Sequence, residues 1–191
     1  MTRRILGIDP GSRLTGFGII EQREKQQPVC LLGGCIRLEA PDMPSRLGRL
    51  FAEIQDIVKI YKPTELAIEQ VFVHKNVQSA LKLGQARGVV IAAVMSSNLP
   101  VFEYAPRAIK QAIVGKGSAD KIQIQHMVQI LLALNAKPQA DAADALAVAL
   151  CHLNTVSEMH FFKSHLPQKR QRGKRSIQWK QYDRTTSRNT D

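Results

Sequence analysis

Four carboxylates in this chain stand at places where solubility alone explains them poorly. Asp9 closes the apolar run of "RRILGID", Glu69 closes that of "ELAIE", and Asp141 and Asp144 sit in the alanine-rich "QADAADALAVAL". Asp141 and Asp144 are three residues apart, which on a helix puts them on one face. Each acid alone has a simpler account. A strand-end acid can mark where the chain reaches solvent, and acids in a first helical turn complement the helix dipole. A dipole does not, however, require a helix that is otherwise small and apolar. Gathered in one place, four carboxylates repel one another unless cations neutralise them. Hard oxygen donors select Mg²⁺ or Mn²⁺. Two such ions about 4 Å apart would offset the charge and serve phosphoryl chemistry.

The elements that must bring these acids together can be read from periodicity. Residues 3–9, 14–22 and 29–38 read as three strands joined by short polar connections, an antiparallel meander. From Met43, apolar residues recur at spacings of three and four as far as Tyr61, and Pro63 stops that helix. Strand 64–70, helix 76–97, strand 101–105 and a short helix from Pro106 to Val114 follow. Ser118 is a plausible N-cap for a helix over 119–134. A last helix covers 140–153. Alternating strands and helices imply parallel strands with crossovers. The sum is an α/β fold, a mixed five-stranded sheet covered by helices. In such sheets ligands gather at the carboxyl ends of the strands. Neighbouring first and fourth strands would join Asp9 to Glu69 there.

Composition narrows the partner. The 191 residues carry a net charge of +11, which predicts a polyanion, nucleic acid first and an anionic membrane surface second. No run reaches the roughly 18 apolar residues of a membrane span. No signal peptide is expected from "MTRRILGIDPG". Cys30, Cys35 and Cys151 are an odd number without paired spacing and read as reduced thiols. The expected location is the cytoplasm. Residues 156–191 hold nine lysines or arginines against three acids, a net of +6. With few aliphatic residues, that tail is expected to be disordered when free. The predicted organisation is a globular domain over 1–155 and a basic tail over 156–191. Truncation after Thr155 is expected to weaken nucleic-acid binding and flatten its salt dependence.

Four blocks in order, "GIDPGSRLTGFG", "AIEQVF", "SALKLGQARGV" and "QADAADALA", make residues 4–153 resemble the RuvC family of Holliday junction resolvases. The resemblance implies a ribonuclease H-like fold in which Asp9, Glu69, Asp141 and Asp144 are catalytic acids and ligands of two Mg²⁺ ions, with Mn²⁺ as a substitute. It implies an endonuclease that nicks four-way DNA junctions in symmetric pairs, leaving 5′-phosphate and 3′-hydroxyl ends, in recombination and DNA repair. It implies a homodimer, since a twofold junction needs two matched cuts, and RuvA and RuvB as branch-migration partners. Phe72 would stack on an unpaired base at the junction centre. Lys110 and Lys121 would contact phosphates beside the metals. Without the resemblance, a single aromatic is as well read as core, and lone lysines as solvated.

Other chemistries fit less well. An actin-like ATPase could use "GIDPG" as a phosphate cradle, but it needs two related domains and has no use for the "ADAADAL" helix. "GKGSADK" looks like a P-loop but fails as one, because Gly117 follows Lys116 where Ser or Thr is needed and Lys110 replaces the first glycine. A catalytically silent junction-binding protein remains the second function class, for which basic charge would suffice. His74 and His126 lack metal-ligand spacing. Gly84 and Gly88, inside a predicted helix, cost about 1 kcal/mol each against alanine and suggest close packing, with a second subunit as one candidate. Gly16 and Gly18 leave room for DNA or a neighbouring backbone.

Overall fold

A strand that is apolar on both sides needs cover on both faces, and "RRILGID" has it. The structure, a computed structural model, describes residues 2–24, 26–71 and 77–165. Its elements follow as β1 (Arg3–Asp9), β2 (Leu14–Gln22), β3 (Val29–Arg37), α1 (Met43–Tyr61), β4 (Glu65–Glu69), α2 (Val77–Met95), β5 (Val101–Tyr104), α3 (Pro106–Val114), α4 (Lys121–Leu131) and α5 (Ala140–His165). The strands form one sheet in the order β3-β2-β1-β4-β5. β1, β2 and β3 pair antiparallel, and β4 and β5 add in parallel. The mixed five-stranded sheet expected from the sequence is therefore present, with β1 at its centre.

Period-two alternation sorts the strand residues into two cores. Leu6, Ile8, Ile19, Leu66 and Ile68 face α1 and α2. Ile5, Ile20 and Ala67 face α5, with α3 and α4 packed outside it. Gly7, Gly16 and Gly18 lie on this second face, and they let α5 approach at backbone distance. An added Cβ at Gly7 would stand 2.2 Å from the Ala145 carbonyl oxygen, and one at Gly16 would stand 2.1 Å from that of Asp141. On β2, Gly16 thus makes room for a neighbouring backbone, and Gly18 for the Leu146 side chain.

Helix ends differ most from expectation in α4 and α5. The N-cap of α4 is Asp120, not Ser118. Its carboxylate accepts from the Gln123 amide at 2.8 Å, while the Gln123 side chain accepts from the Asp120 amide at 3.1 Å. This reciprocal box satisfies two helix-end donors, which Ser118 could not match, so the helix starts at Lys121. It ends at Leu131 rather than 134, with Ala133 in the left-handed region at φ 48°. The second difference is α5, which runs on to His165 instead of stopping at 153. No glycine or proline interrupts the chain until Pro167. The Thr155 and Ser157 hydroxyls donate back to the carbonyls of Cys151 and Leu153, at 2.8 Å each. Among the described residues, nothing beyond α2's own backbone lies within 4 Å of a Cβ added at Gly84 or Gly88, so the close packing suggested for them is not made there.

Candidate active site

The acids converge because of register. β1 and β4 run parallel with Ile8 beside Ile68. Asp9 and Glu69 each follow by one residue, so they lie level at the carboxyl ends of adjacent strands. Alternation turns both toward the face of Gly7 and Ala67, which α5 covers. A buried staple holds the turn after Asp9. The Gly11 amide donates to Thr15 Oγ1 at 3.2 Å, and that hydroxyl donates to the Gly11 carbonyl at 2.9 Å. Thr15 is fully buried. Residue type alone does not single it out; its signal is a hydroxyl four residues after the turn glycine.

The start of α5 supplies the third acid. Asp9, Glu69 and Asp144 line one cleft of about 190 Å³, with Lys110 of α3 and Lys121 of α4 on its walls. Lys121 Nζ donates to Asp144 Oδ2 at 3.2 Å. Asp141 stands one turn earlier on α5, its carbonyl over Gly16, close enough to act electrostatically on Asp9 and Lys121. The structure therefore brings together Asp9, Glu69, Asp144, Lys110 and Lys121, with Asp141 at the edge. Phe72 and His74 lie outside the described residues.

The electrostatics are those of a site short of positive charge. Burial, then the charges of Glu69 and Asp144 and, more weakly, Asp141, push the Asp9 carboxyl up to about 7 against the pull of Lys121. Burial and then Asp144 raise Glu69, with Lys121 and Lys110 opposing. Asp144 in turn raises the Lys121 ammonium. Among the described residues, Lys110 and Lys121 do not balance the four acids, and divalent cations would. The donors are all hard oxygens, which fits Mg²⁺ or Mn²⁺. Among the described residues, no three Asp, Glu, His or Cys side chains are already drawn in to metal-ligating distance. Lys121 is the cation that faces Asp144.

Comparison with known proteins decides the family. The model of the RuvC family, crossover junction endodeoxyribonuclease RuvC, matches residues 5–152. The chain belongs to the RuvC family. The crossover junction endodeoxyribonuclease RuvC of Proteus mirabilis (strain HI4320) is 57% identical over 152 residues, 78% of this chain and 87% of that protein. That of Vibrio parahaemolyticus serotype O3:K6 is 58% identical over 151 residues, 79% of this chain and 87% of that protein. Thermus thermophilus RuvC, solved in complex with a Holliday junction substrate, superposes with a TM-score of 0.77 at 31% identity, covering 82% of this chain and 96% of that one. The yeast mitochondrial Holliday junction resolvase Ydc2, at 11% identity and a TM-score of 0.64, shares the fold alone. The fold is ribonuclease H-like, as the resemblance implied, and this RuvC family member is a metal-dependent nuclease.

Proposed function

We propose that this RuvC family nuclease resolves four-way DNA junctions by paired symmetric nicks, in recombination and repair. The observation that carries it is the meeting of Asp9, Glu69 and Asp144 in one cleft between two lysines. Asp9, Glu69, Asp141 and Asp144 would hold two Mg²⁺ ions, or Mn²⁺ in their place. Bound there, the metal supplies charge neutralisation and Lewis acidity for in-line attack of water on phosphorus, giving 5′-phosphate and 3′-hydroxyl ends. The carboxylates orient what they bind from rigid strand and helix ends. Lys110 and Lys121 hold the scissile phosphate and stabilise its developing charge, and Lys121 must exchange Asp144 for that phosphate as DNA arrives. Phe72 would stack on an unpaired base. The primary test is wild-type protein on a synthetic junction with Mg²⁺, with the ends mapped. Symmetric nicks bearing 5′-phosphates are expected. Binding without cleavage in both Mg²⁺ and Mn²⁺ would favour a silent junction-binding protein.

The protein acts as a homodimer in this proposal, joined through α2. Val77, Leu81 and Met95 are 64%, 63% and 51% exposed. With Gly84 and Gly88 they recur at spacings of four, three, four and seven, a single stripe along the helix. Large apolar residues beside bare backbone suit a twofold contact with a second copy. Leu81→Asp is expected to give monomers at micromolar concentration by sedimentation, with nicking of junctions no longer paired. A dimer that survives Leu81→Asp would place the contact elsewhere.

The basic tail adds non-specific affinity. Because α5 runs to His165, the informative truncation falls after that residue rather than after Thr155. Its removal should weaken junction binding and lower the salt slope by about 0.9 for each phosphate that the tail neutralises. An unchanged slope would leave the tail as a solubility appendage or a dock for protein partners. The division into a nuclease domain and a tail belongs to the same proposal, as do RuvA and RuvB as partners and the cytoplasm as location. Among the described residues no helix is long and apolar enough to cross a membrane.

A further inference from the structure

His152 is fully buried in the middle of α5, in the apolar stretch "AVALCHL" where any aliphatic residue would fill the space. Both ring nitrogens are engaged. Nδ1 lies 2.6 Å from the Tyr104 hydroxyl, and Nε2 lies 2.9 Å from Glu65 Oε2. The ring packs on Phe102 with centroids 4.4 Å apart. Glu65 is itself buried, and its Oε1 lies 2.9 Å from Arg3 Nε. Burial is the main cause that pushes the Tyr104 phenol up to about 12, so its hydroxyl stays a donor. One tautomer then serves both bonds: Nδ1 accepts from Tyr104, and Nε2–H donates to Glu65.

The members of this network match the members of the cleft. β1 carries Arg3 at one end and Asp9 at the other; β4 carries Glu65 and Glu69 in the same way. Tyr104 of β5 pairs in register with Glu69. On α5, His152 follows Asp141 by eleven residues, three helical turns, on nearly the same face. Every element that brings a carboxylate to the cleft is therefore joined to the others by a polar group at a distance from it, buried for Glu65 and His152 and half-buried for Arg3. Apolar contacts tolerate a helix sliding along a sheet; hydrogen bonds from one buried ring to two strands do not.

We infer that His152, bonded to Tyr104 and Glu65, is a positioning residue that holds α5 in axial register so that Asp141 and Asp144 meet Asp9 and Glu69. This rests on the proposed metal-binding role of those acids. The test uses the full-length protein. Mn²⁺ binding is followed by calorimetry without DNA, and junction cleavage is resolved into kcat and KM. His152→Leu removes both bonds, and His152→Gln keeps a donor toward Glu65. His152→Leu should weaken Mn²⁺ binding and lower kcat, each roughly tenfold, with the junction KM within about twofold. His152→Gln should recover most of the loss. Ile54→Val, in the core on the other face of the sheet, controls for lost stability and should leave Mn²⁺ affinity and kcat as in wild type. If His152→Leu does not fold, Tyr104→Phe makes the same test by removing one hydroxyl. Variants that lose melting temperature but bind Mn²⁺ and cut like wild type would overturn the clamp alone. Wild-type protein that takes up no Mn²⁺ would instead overturn the metal site, and the clamp with it.

Discussion

Asp9→Asn should abolish junction cleavage in Mg²⁺, by at least about a thousandfold in kcat, while junction binding in EDTA stays within about twofold. The amide has nearly the shape of the carboxylate, so the end of β1 keeps its packing and only the charge is lost. The same variant should also be more stable than wild type in EDTA at pH 8. The sign follows from the raised carboxyl. Unfolded, Asp9 titrates near 3.8; folded, it holds its proton until about 7. The folded state binds that proton more tightly, so its stabilising contribution is complete below about pH 4 and lost as the pH rises through 7. At pH 8 folding must carry an ionised Asp9 among other acids, at an expense of a few kcal/mol at most. Asn carries no charge, so the variant should melt about 5 °C or more higher at pH 8, and the gap should shrink toward pH 4. Mg²⁺ should raise the wild-type melting temperature at pH 8 and leave that of the variant nearly unchanged. Retained cleavage by Asp9→Asn would sink the metal-site assignment. Equal melting temperatures in EDTA at pH 8 would sink the electrostatic account.

Gly16→Ala should also be damaging, although it adds a single methyl group. Its Cβ would lie 2.1 Å from the Asp141 carbonyl oxygen and 2.7 Å from the carbonyl carbon. Backbone cannot swing aside as a side chain can, so the start of α5 must lift by about 1 Å or more. That displacement carries Asp141 and Asp144 away from Asp9 and Glu69, and an error of this size can lower kcat about a hundredfold. Gly7→Ala makes the parallel clash in mid-helix, at 2.2 Å from the Ala145 oxygen and 2.8 Å from the Ala149 Cβ. Both should lose about 1–3 kcal/mol of stability in urea unfolding, as overpacked cores do. Cleavage is to be measured well below the melting temperature of each variant. Wild-type stability and wild-type cleavage in Gly16→Ala would mean that α5 does not lie on the sheet in this way.

Asp9 and Glu69 were legible because two simple rules act together: strands end where apolar runs end, and parallel neighbours share their ends. The order of strands and helices followed from periodicity for the same reason. Asp120 was harder, since Ser118 and Asp120 both have capping side chains and only the return bond from Gln123 separates them. The far end of α5 is hidden from the sequence because composition changes near residue 156, whereas backbone geometry changes only where a breaker or a cap demands it. Gly16 and Gly18 announced a close approach without naming the partner, which depends on where a helix more than 120 residues later comes to rest. His152 left no trace, because a lone histidine between apolar neighbours has no spacing to read. Phe72 falls outside the described residues.

The seam where α5 meets Gly7 and Gly16 has a consequence for how the protein behaves on warming. Most interfaces between a helix and a sheet are padded by side chains, whose rotamers broaden with temperature and let the two surfaces drift. Here carbonyl oxygens rest almost directly on strand backbone, with little between them to change rotamer. The distance from strand to helix is set by van der Waals radii, which hardly respond to heat. The carboxylates borne on either side of the seam should keep their spacing nearly constant up to the melting transition, so that activity rises smoothly with temperature and then ends abruptly when the fold does.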